Sequence, residues 1–314
     1  MPEKELIVVG ELNVDLILNN IDGFPKIGTE ILADDMNLTL GSSSAIMAAN
    51  AAAMGVDTTF CGKVGNDMFG EVVLKELKNK NVCTDHISSS DTHQTGITIV
   101  MSYAEDRANV TYCGAMELLT IDDIPWEDIK NFKHFHLSNF FIQKGIRKDI
   151  TTIFKKVKEA GITTSLDLQW DPENKWDFDY RECLPYVDVF MPNEAEIMAL
   201  TRTSSVDEAL EAVKPFANTI ALKMGAKGSV GIEDDTQMEV SSFTNPKHID
   251  SIGAGDSFNS GFIKKYIGGG SLQECLTYGN LMGALNTTAA GGTGAFNSPE
   301  EIEQKVKSIF NVAI

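Results

Sequence analysis

Basic residues are scarce in this chain. Its 314 residues hold 26 Lys plus Arg against 45 Asp plus Glu, a formal net charge of −19. Sequence-independent nucleic-acid binding needs a Lys/Arg surplus to displace counterions from phosphates, and docking on an anionic membrane needs the same. Neither partner is expected, and an anionic substrate would need a local site that overcomes the global field. Long apolar runs are also missing, so no spanning helix is expected. The opening Met1-Pro2-Glu3-Lys4-Glu5 lacks the charged-then-apolar order of a signal peptide. The five cysteines, Cys61, Cys83, Cys113, Cys183 and Cys275, are scattered, odd in number and without a C-x-x-C pair. Reduced thiols in a cytoplasmic enzyme are the expectation. No internal repeat, low-complexity tract or interdomain linker is evident, so residues 1–314 are expected to form a single domain.

Two nucleotide motifs are absent as well. No G-x-x-x-x-G-K-[ST] occurs, which excludes a P-loop NTPase. After the first expected strand stands Val9-Gly10-Glu11-Leu12-Asn13 rather than G-x-G-x-x-G, which argues against a dinucleotide oxidoreductase.

What is present alternates between strand and helix patterns. Apolar runs at Glu5 to Val9, Thr58 to Val64, His134 to Leu137, Thr163 to Leu168, Val187 to Met191 and Thr219 to Lys223 read as buried strands. Between and after them, helical spacing recurs at Ser44 to Met54, Phe69 to Lys80, Lys148 to Glu159, Ala195 to Leu200 and Val206 to Val213. It continues at Ser257 to Ile267, Leu272 to Ala289 and Pro299 to Phe310. This rhythm implies βαβ units and a mostly parallel sheet covered on both faces, an α/β fold. Two stretches break it: Val14 to Leu18 with Ile31 to Leu40, and Thr95 to Tyr103 with Asn109 to Tyr112. They are strand-like, lack a helix between them, and are joined by turns at Asp22-Gly23-Phe24-Pro25 and Ala104-Glu105-Asp106-Arg107. They read as a small antiparallel sheet acting as a lid, drawn from about residues 12–40 and 95–113, or as extra edge strands of the main sheet.

The chemistry concentrates near residue 250. Asp250-Ser251-Ile252-Gly253-Ala254-Gly255-Asp256 leads into a helix, where paired glycines let N–H groups approach an anion and the helix dipole favours it. A carboxylate beside such a nest would repel a phosphate unless it takes a proton from an attacking hydroxyl. Alone, the segment reads first as a glycine turn with Asp256 capping the helix. Lys223-Met224-Gly225-Ala226-Lys227-Gly228 follows a strand and suits polyphosphate. Asn193 and Glu196 share one side of a helix start, as either oxygen ligands of hydrated Mg²⁺ or an N-cap with acidic first-turn residues.

Together these pieces resemble the ribokinase-like (phosphofructokinase B type) carbohydrate kinases over almost the whole chain. Asp250 to Gly261 is similar to the family's D-T-x-G-A-G-D-x-F-x-x-G signature, with Ser251 for the first Thr. Gly10-x-x-Asn13-x-Asp15, Gly62-Lys63-Val64-Gly65-Asn66-Asp67-x-x-Gly70, Asn193-x-x-Glu196, Lys223-x-Gly225-x-x-Gly228 and Gly294-Ala295 support it. The resemblance implies a three-layer α/β/α fold with the lid, and ATP-dependent phosphorylation of a small polyol, usually at a primary hydroxyl. Asp256 would be the base, with Gly253, Ala254 and Gly255 as the anion hole. Asn193 and Glu196 would serve Mg²⁺ and phosphates. Lys223, Gly225 and Gly228 would line the ATP site, with Asn280 near the adenine. Asn13 and Asp15 would hold sugar hydroxyls, and Gly41, Ser42 and Ser43 border the same pocket. Asp250, the Ile252 carbonyl and the Gly294 loop would bind a monovalent cation such as K⁺, and the lid often forms a homodimer contact.

One segment departs from the family. Gly41-Ser42-Ser43-Ser44-Ala45-Ile46 stands where relatives carry Gly-Gly, a small residue and an Asn; Ser42 replaces the second Gly, Ile46 the Asn, and Ser43 the Lys of ribose-specific members. Ribose therefore falls in rank and a neutral, fructose-like hexose or ketose is favoured. A nucleoside kinase of the same superfamily and a non-catalytic sugar-binding regulator are the alternatives. Asp167-Leu168-Gln169-Trp170-Asp171-Pro172 with Trp176 resembles the Asp-x-Asn-x-Arg…Trp stretch of fructokinase relatives, without its Asn and Arg.

Overall fold

A computed structural model describes residues 4–103, 107–234 and 236–314. Met1-Pro2-Glu3 and residues 104–106 of the expected lid turn lie outside the described residues. The strands in chain order are β1 (Lys4–Val9), β2 (Asn13–Asn19), β3 (Asp35–Leu40), β4 (Thr58–Gly65), β5 (Cys83–Ser90), β6 (Gly96–Ser102) and β7 (Arg107–Tyr112). There follow β8 (Phe132–Ser138), β9 (Thr163–Asp167), β10 (Val189–Phe190), β11 (Thr219–Lys223), β12 (Ser229–Glu233) and β13 (Thr236–Val240).

The central sheet has the order β13-β12-β11-β10-β9-β8-β1-β4-β5. From β11 across to β5 every pairing is parallel, and β12 and β13 extend that edge antiparallel. Strand β1 shows why it sits near the middle. Leu6, Ile7, Val8 and Val9 are all fully buried, and alternate residues serve different cores. Ile7 and Val9 join Phe135, Phe154 and Leu166 on one face, while Leu6 and Val8 join Ala48, Phe60, Phe258 and Phe262 on the other. A helical layer therefore covers each face.

The covering helices differ according to how much of them is buried. Ile150–Glu159 is amphipathic and buries Ile150, Ile153, Phe154 and Val157. Ser43–Ala53 is buried nearly all round, so it is built mainly from Ala, with Ser, Met, Ile46 and Asn50, and carries no charge. It packs in the same core as Ala254–Ile267.

The expected lid is a separate four-stranded sheet of order β3-β2-β6-β7, not an extension of the main one. Its outer pairs are antiparallel, and the middle pair β2–β6 joins the two hairpins in parallel. Register sorts its residues by face. Leu16, Leu38, Ile99 and Val110 form one cross-strand row, and Asp15, Thr39, Thr98 and Thr111 form the adjacent row on the opposite face. Along these two rows one side of the lid is apolar and the other polar, with Ile17 and Val100 buried on the polar side.

The chain adds β4 and β5 on one side of β1, then returns through β8 on the other. Such a reversal opens a crevice at the carboxyl ends of the strands, where ligands of α/β sheets bind.

Candidate active site

Functional groups collect along those carboxyl ends. Glu11 follows β1, Asn139 follows β8, Asp167 ends β9, Asn193 follows β10 and Lys223 ends β11. The helix Ala254–Ile267 starts above them. Its N-cap, Gly253, has φ 76°, and a Cβ there would lie 2.6 Å from the Gly292 Cα, so the turn requires glycine. The Ala254 N–H donates to the Ser251 carbonyl at 3.3 Å, leaving those of Gly253 and Gly255 without a partner among the described residues. Two of the three N–H groups expected to form an anion hole thus have no partner among the described residues.

Asp256 occupies the first turn of that helix and is 8% exposed. Its Oδ1 accepts from Gln169 Nε2 at 3.1 Å. Burial, reinforced by the Asp167 charge and opposed by Lys223, pushes its pKa up to about 7. Asp167 is the hub beneath it. Fully buried, its Oδ2 accepts from Lys223 Nζ at 2.6 Å, Asn259 Nδ2 at 2.5 Å and Gln169 Nε2 at 3.0 Å. Burial opposes the Lys223 charge, yet the carboxylates of Asp167, Glu196 and Asp256 raise its pKa above the ordinary value. That lysine therefore stays cationic.

Asn193 and Glu196 form a reciprocal cap on the helix Glu194–Thr201. The Glu196 N–H donates to Asn193 Oδ1 at 2.9 Å, and the Asn193 backbone N–H donates to Glu196 Oε2 at 2.9 Å. Burial, with Asp167 adding to it, pushes the Glu196 pKa up to about 7. A cation beside Glu196 would relieve that penalty. One carboxylate with an amide oxygen suits Mg²⁺, which keeps most of its waters and takes the rest of its shell from phosphates. The residues fit that ion.

A cleft of about 510 Å³ opens beside Lys223 and is lined by Gly225, Gly228, Gly255, Phe258 and Asn280. Gly228 has φ 106° and a Cβ there would strike the Val240 carbonyl oxygen at 2.0 Å. Asn280 donates to the carbonyls of Val240 and Ser241 at 3.0 and 3.3 Å, bracing that wall. All the residues expected for the nucleotide, apart from the Asn193–Glu196 cap, thus line one cavity.

The residues expected for the acceptor gather under the polar face of the lid. Asn13 Nδ2 donates to Asp15 Oδ1 at 2.9 Å and Thr98 Oγ1 at 3.0 Å. Gly41 lies so close that a Cβ would meet Asp15 Oδ1 at 2.2 Å. Burial raises the Asp15 pKa to about 6, with Arg107 opposing and Glu11 adding. The three serines close a network. Ser42, at φ 69°, donates to the Glu11 carbonyl at 2.6 Å and accepts from the Ala45 N–H at 2.9 Å. The Glu11 carboxylate accepts from Ser43 Oγ at 2.8 Å, from Ser44 Oγ and from Asn139 Nδ2 at 3.2 Å. Ile46 packs under Gly253 and Gly292.

The oxygens expected to hold a monovalent cation already take part in hydrogen bonds. Asp250 accepts from the N–H groups of Ile252 and Gly291, each at 2.9 Å, and the Ile252 carbonyl accepts from Asn286 Nδ2 at 2.6 Å. Gly294 lies in the following loop, its Cβ direction blocked by the Ala290 carbonyl at 2.5 Å. His134 and His136 are buried and share Ser165 Oγ at 2.7 Å each, a core pair and not ligands. Phe140 and Phe141 are buried core as well.

Sequence reasoning left Glu11, Asp167, Gln169 and Asn259 out of the site. Asp167 and Gln169 carried a signal, since they stand in the stretch that resembles other kinases; Asn259 sits one helical turn beyond Asp256.

Comparison with known proteins gives a consistent picture. The model for the pfkB family carbohydrate kinase matches residues 3–299. The chain is 28% identical over 304 residues to the ATP-dependent ribose-1-phosphate kinase of Halopiger xanaduensis, covering 94% of each chain. It superposes on Arabidopsis thaliana ribokinase complexed with ribose and ATP with TM-score 0.84, at 24% identity, covering 97% of this chain and 99% of that one. A protein of E. coli in complex with ATP and Mg²⁺ gives TM-score 0.84 at 23% identity, covering 97% and 99%.

Proposed function

Because the chain belongs to the pfkB family of carbohydrate kinases, we propose that it transfers the γ-phosphate of ATP to a hydroxyl of a small neutral carbohydrate. The carrying observation is Asp256. It is a buried carboxylate beside two open N–H groups, with one oxygen held by Gln169 and the other accepting no hydrogen bond among the described residues. That free oxygen suits the proton of an attacking hydroxyl, and the Gly253–Gly255 turn suits the charge growing on the phosphoryl group. Lys223, Gly225, Gly228 and Asn280 would line the ATP cleft, and Asn193 with Glu196 would hold Mg²⁺. That ion, when bound, neutralises phosphate charge. Asn13 and Asp15 would hold acceptor hydroxyls, and lid closure would exclude water.

The acceptor pocket favours neutral ligands. Glu11 raises the pKa of both Asp15 and Asp256, so three carboxylates influence one another around it. A carboxylate or phosphate on the acceptor would meet that field, and a fructose-like ketose or hexose would not. ADP release with Mg-ATP over sugars, sugar acids, sugar phosphates and nucleosides tests this. Turnover on a neutral hexose or ketose is the expected result. Turnover confined to a phosphorylated sugar or a nucleoside would overturn the acceptor class, and silence in protein that binds ATP would point to a sensor.

The outer face of the lid supports a homodimer. Met36, Leu38, Val110 and Tyr112 are 59, 40, 58 and 48% exposed on its apolar side, and Phe24, Ile27 and Leu32 are exposed in the β2–β3 connection. A soluble chain rarely leaves such a sheet face open, and a second copy would cover it. Analytical ultracentrifugation should find a dimer that becomes monomeric in Leu38→Lys/Val110→Lys. A wild-type monomer at tens of micromolar would refute it.

A further inference from the structure

We propose that Gln169 is a positioning residue for Asp256, holding one oxygen of the base so that the other is presented to the acceptor hydroxyl. The inference rests on the kinase reading above and adds to it a residue that the fingerprint does not contain. Gln169 follows the carboxyl end of β9 at φ 59°, a left-handed conformation that a non-glycine residue adopts at a cost. Strain at this point is held in place by three hydrogen bonds. The Gln169 N–H donates to Asp167 Oδ1 at 3.4 Å, and its Nε2 donates to Asp167 Oδ2 at 3.0 Å and to Asp256 Oδ1 at 3.1 Å. One amide nitrogen thus spends its two hydrogens on two different carboxylates, which satisfies its donor capacity and fixes its rotamer.

The arrangement has a direct electrostatic consequence. Asp256 faces Asp167 at the end of β9, Lys223 at the end of β11, Glu11 after β1 and Glu196 on the helix Glu194–Thr201. Three of those four neighbours are acidic and disfavour the ionised base, and Lys223 is bonded to Asp167. Gln169 is the side chain that donates a hydrogen bond to Asp256 among the described residues. Without it the base would take up a proton more readily and lose its fixed orientation.

Gln169→Gly separates this role from a structural one. Glycine accepts φ 59° without strain, so the fold should be kept while the amide is removed. The first readout needs no substrate: ¹³C NMR titration of the aspartate carboxyls, with the Asp256 signal assigned by its loss in Asp256→Asn. The Asp256 midpoint should rise by about one pH unit in Gln169→Gly, the scale of a hydrogen bond to an ionised group. The second readout is kinetic. The acid limb of kcat/KM should move up with the midpoint, turnover at pH 7 should fall about five- to tenfold, and the KM for ATP should stay in place. An Asp256 midpoint that does not move in Gln169→Gly overturns the proposal. Near-normal turnover in Asp256→Asn would sink the kinase chemistry instead, and the NMR result would still decide what Gln169 does.

Discussion

Replacing Asp256 with asparagine should lower kcat roughly 10²- to 10⁴-fold, the loss expected when a general base is removed. Its isosteric amide keeps the volume, and the turn at Gly253 does not depend on the carboxylate, so ATP binding should survive. Stability should respond in the opposite sense. The folded protein holds the Asp256 pKa at about 7 because of burial and the Asp167 charge, whereas an unfolded aspartate titrates near ~4. Between those two values the native state keeps a proton that the unfolded chain has released, so stability falls as pH rises through that window. Asparagine cannot ionise. The variant should therefore match the wild type near pH 4, melt later than it at pH 8, and still be nearly inactive. Calorimetry at the two pH values with single-turnover kinetics reads both effects. Near-normal turnover in this variant would remove Asp256 from the chemistry, and a variant less stable than the wild type at pH 8 would refute the account of its burial.

Asp167→Ala should be the most destabilising single change at the site. The 2.6 Å bridge to Lys223 is buried, with the lysine side chain 10% exposed and the aspartate 0%. Removing one partner strands the other, at a cost of about 3–5 kcal/mol. Asn259 and Gln169 would lose an acceptor at the same time. A double change, Asp167→Leu with Lys223→Met, removes both charges and should recover most of that stability without recovering activity, because the nucleotide cleft would have lost its lysine. Urea midpoints measure the first claim and ADP release the second. If the single variant unfolds at the wild-type urea concentration, the bridge contributes little. If the double variant is active, Lys223 is not needed for the nucleotide.

The residues that could be recognised in advance are those whose chemistry is compressed into a short stretch. Gly253 to Asp256 puts turn, nest and base within one helical turn, and Lys223 to Gly228 does the same for the cleft. Asp167, Gln169 and Glu11 work through partners 56, 87 and 33 residues away, and no local spacing announces such a pairing. The strand pattern shows the same limit. Central β1 and β11 were legible as continuous apolar runs, buried on both faces. Strand β5 reads Cys-Thr-Asp-His-Ile-Ser-Ser-Ser at the sheet edge and carries no strand pattern, since an edge strand needs few apolar residues. Hairpin β12–β13 is hidden because Gly231 interrupts the apolar pattern of β12. The lid strands are legible as strand-like stretches joined by turns with no helix between them, but the parallel β2–β6 pairing between its hairpins needs the third dimension.

The two-sided register of the lid makes it a natural target for combinatorial engineering. Because neighbouring positions on β2 and β6 point to opposite sides, a library at Asn13, Asp15, Thr98 and Thr111 can vary the face proposed to meet the acceptor without altering the apolar face proposed for a second copy. A complementary library at Leu16, Leu38, Ile99 and Val110 would vary that apolar face alone. The two can be screened separately and then recombined. Single-codon deletions inside β2 or β6 offer no such independence: each exchanges the two faces beyond the deletion and disables both at once.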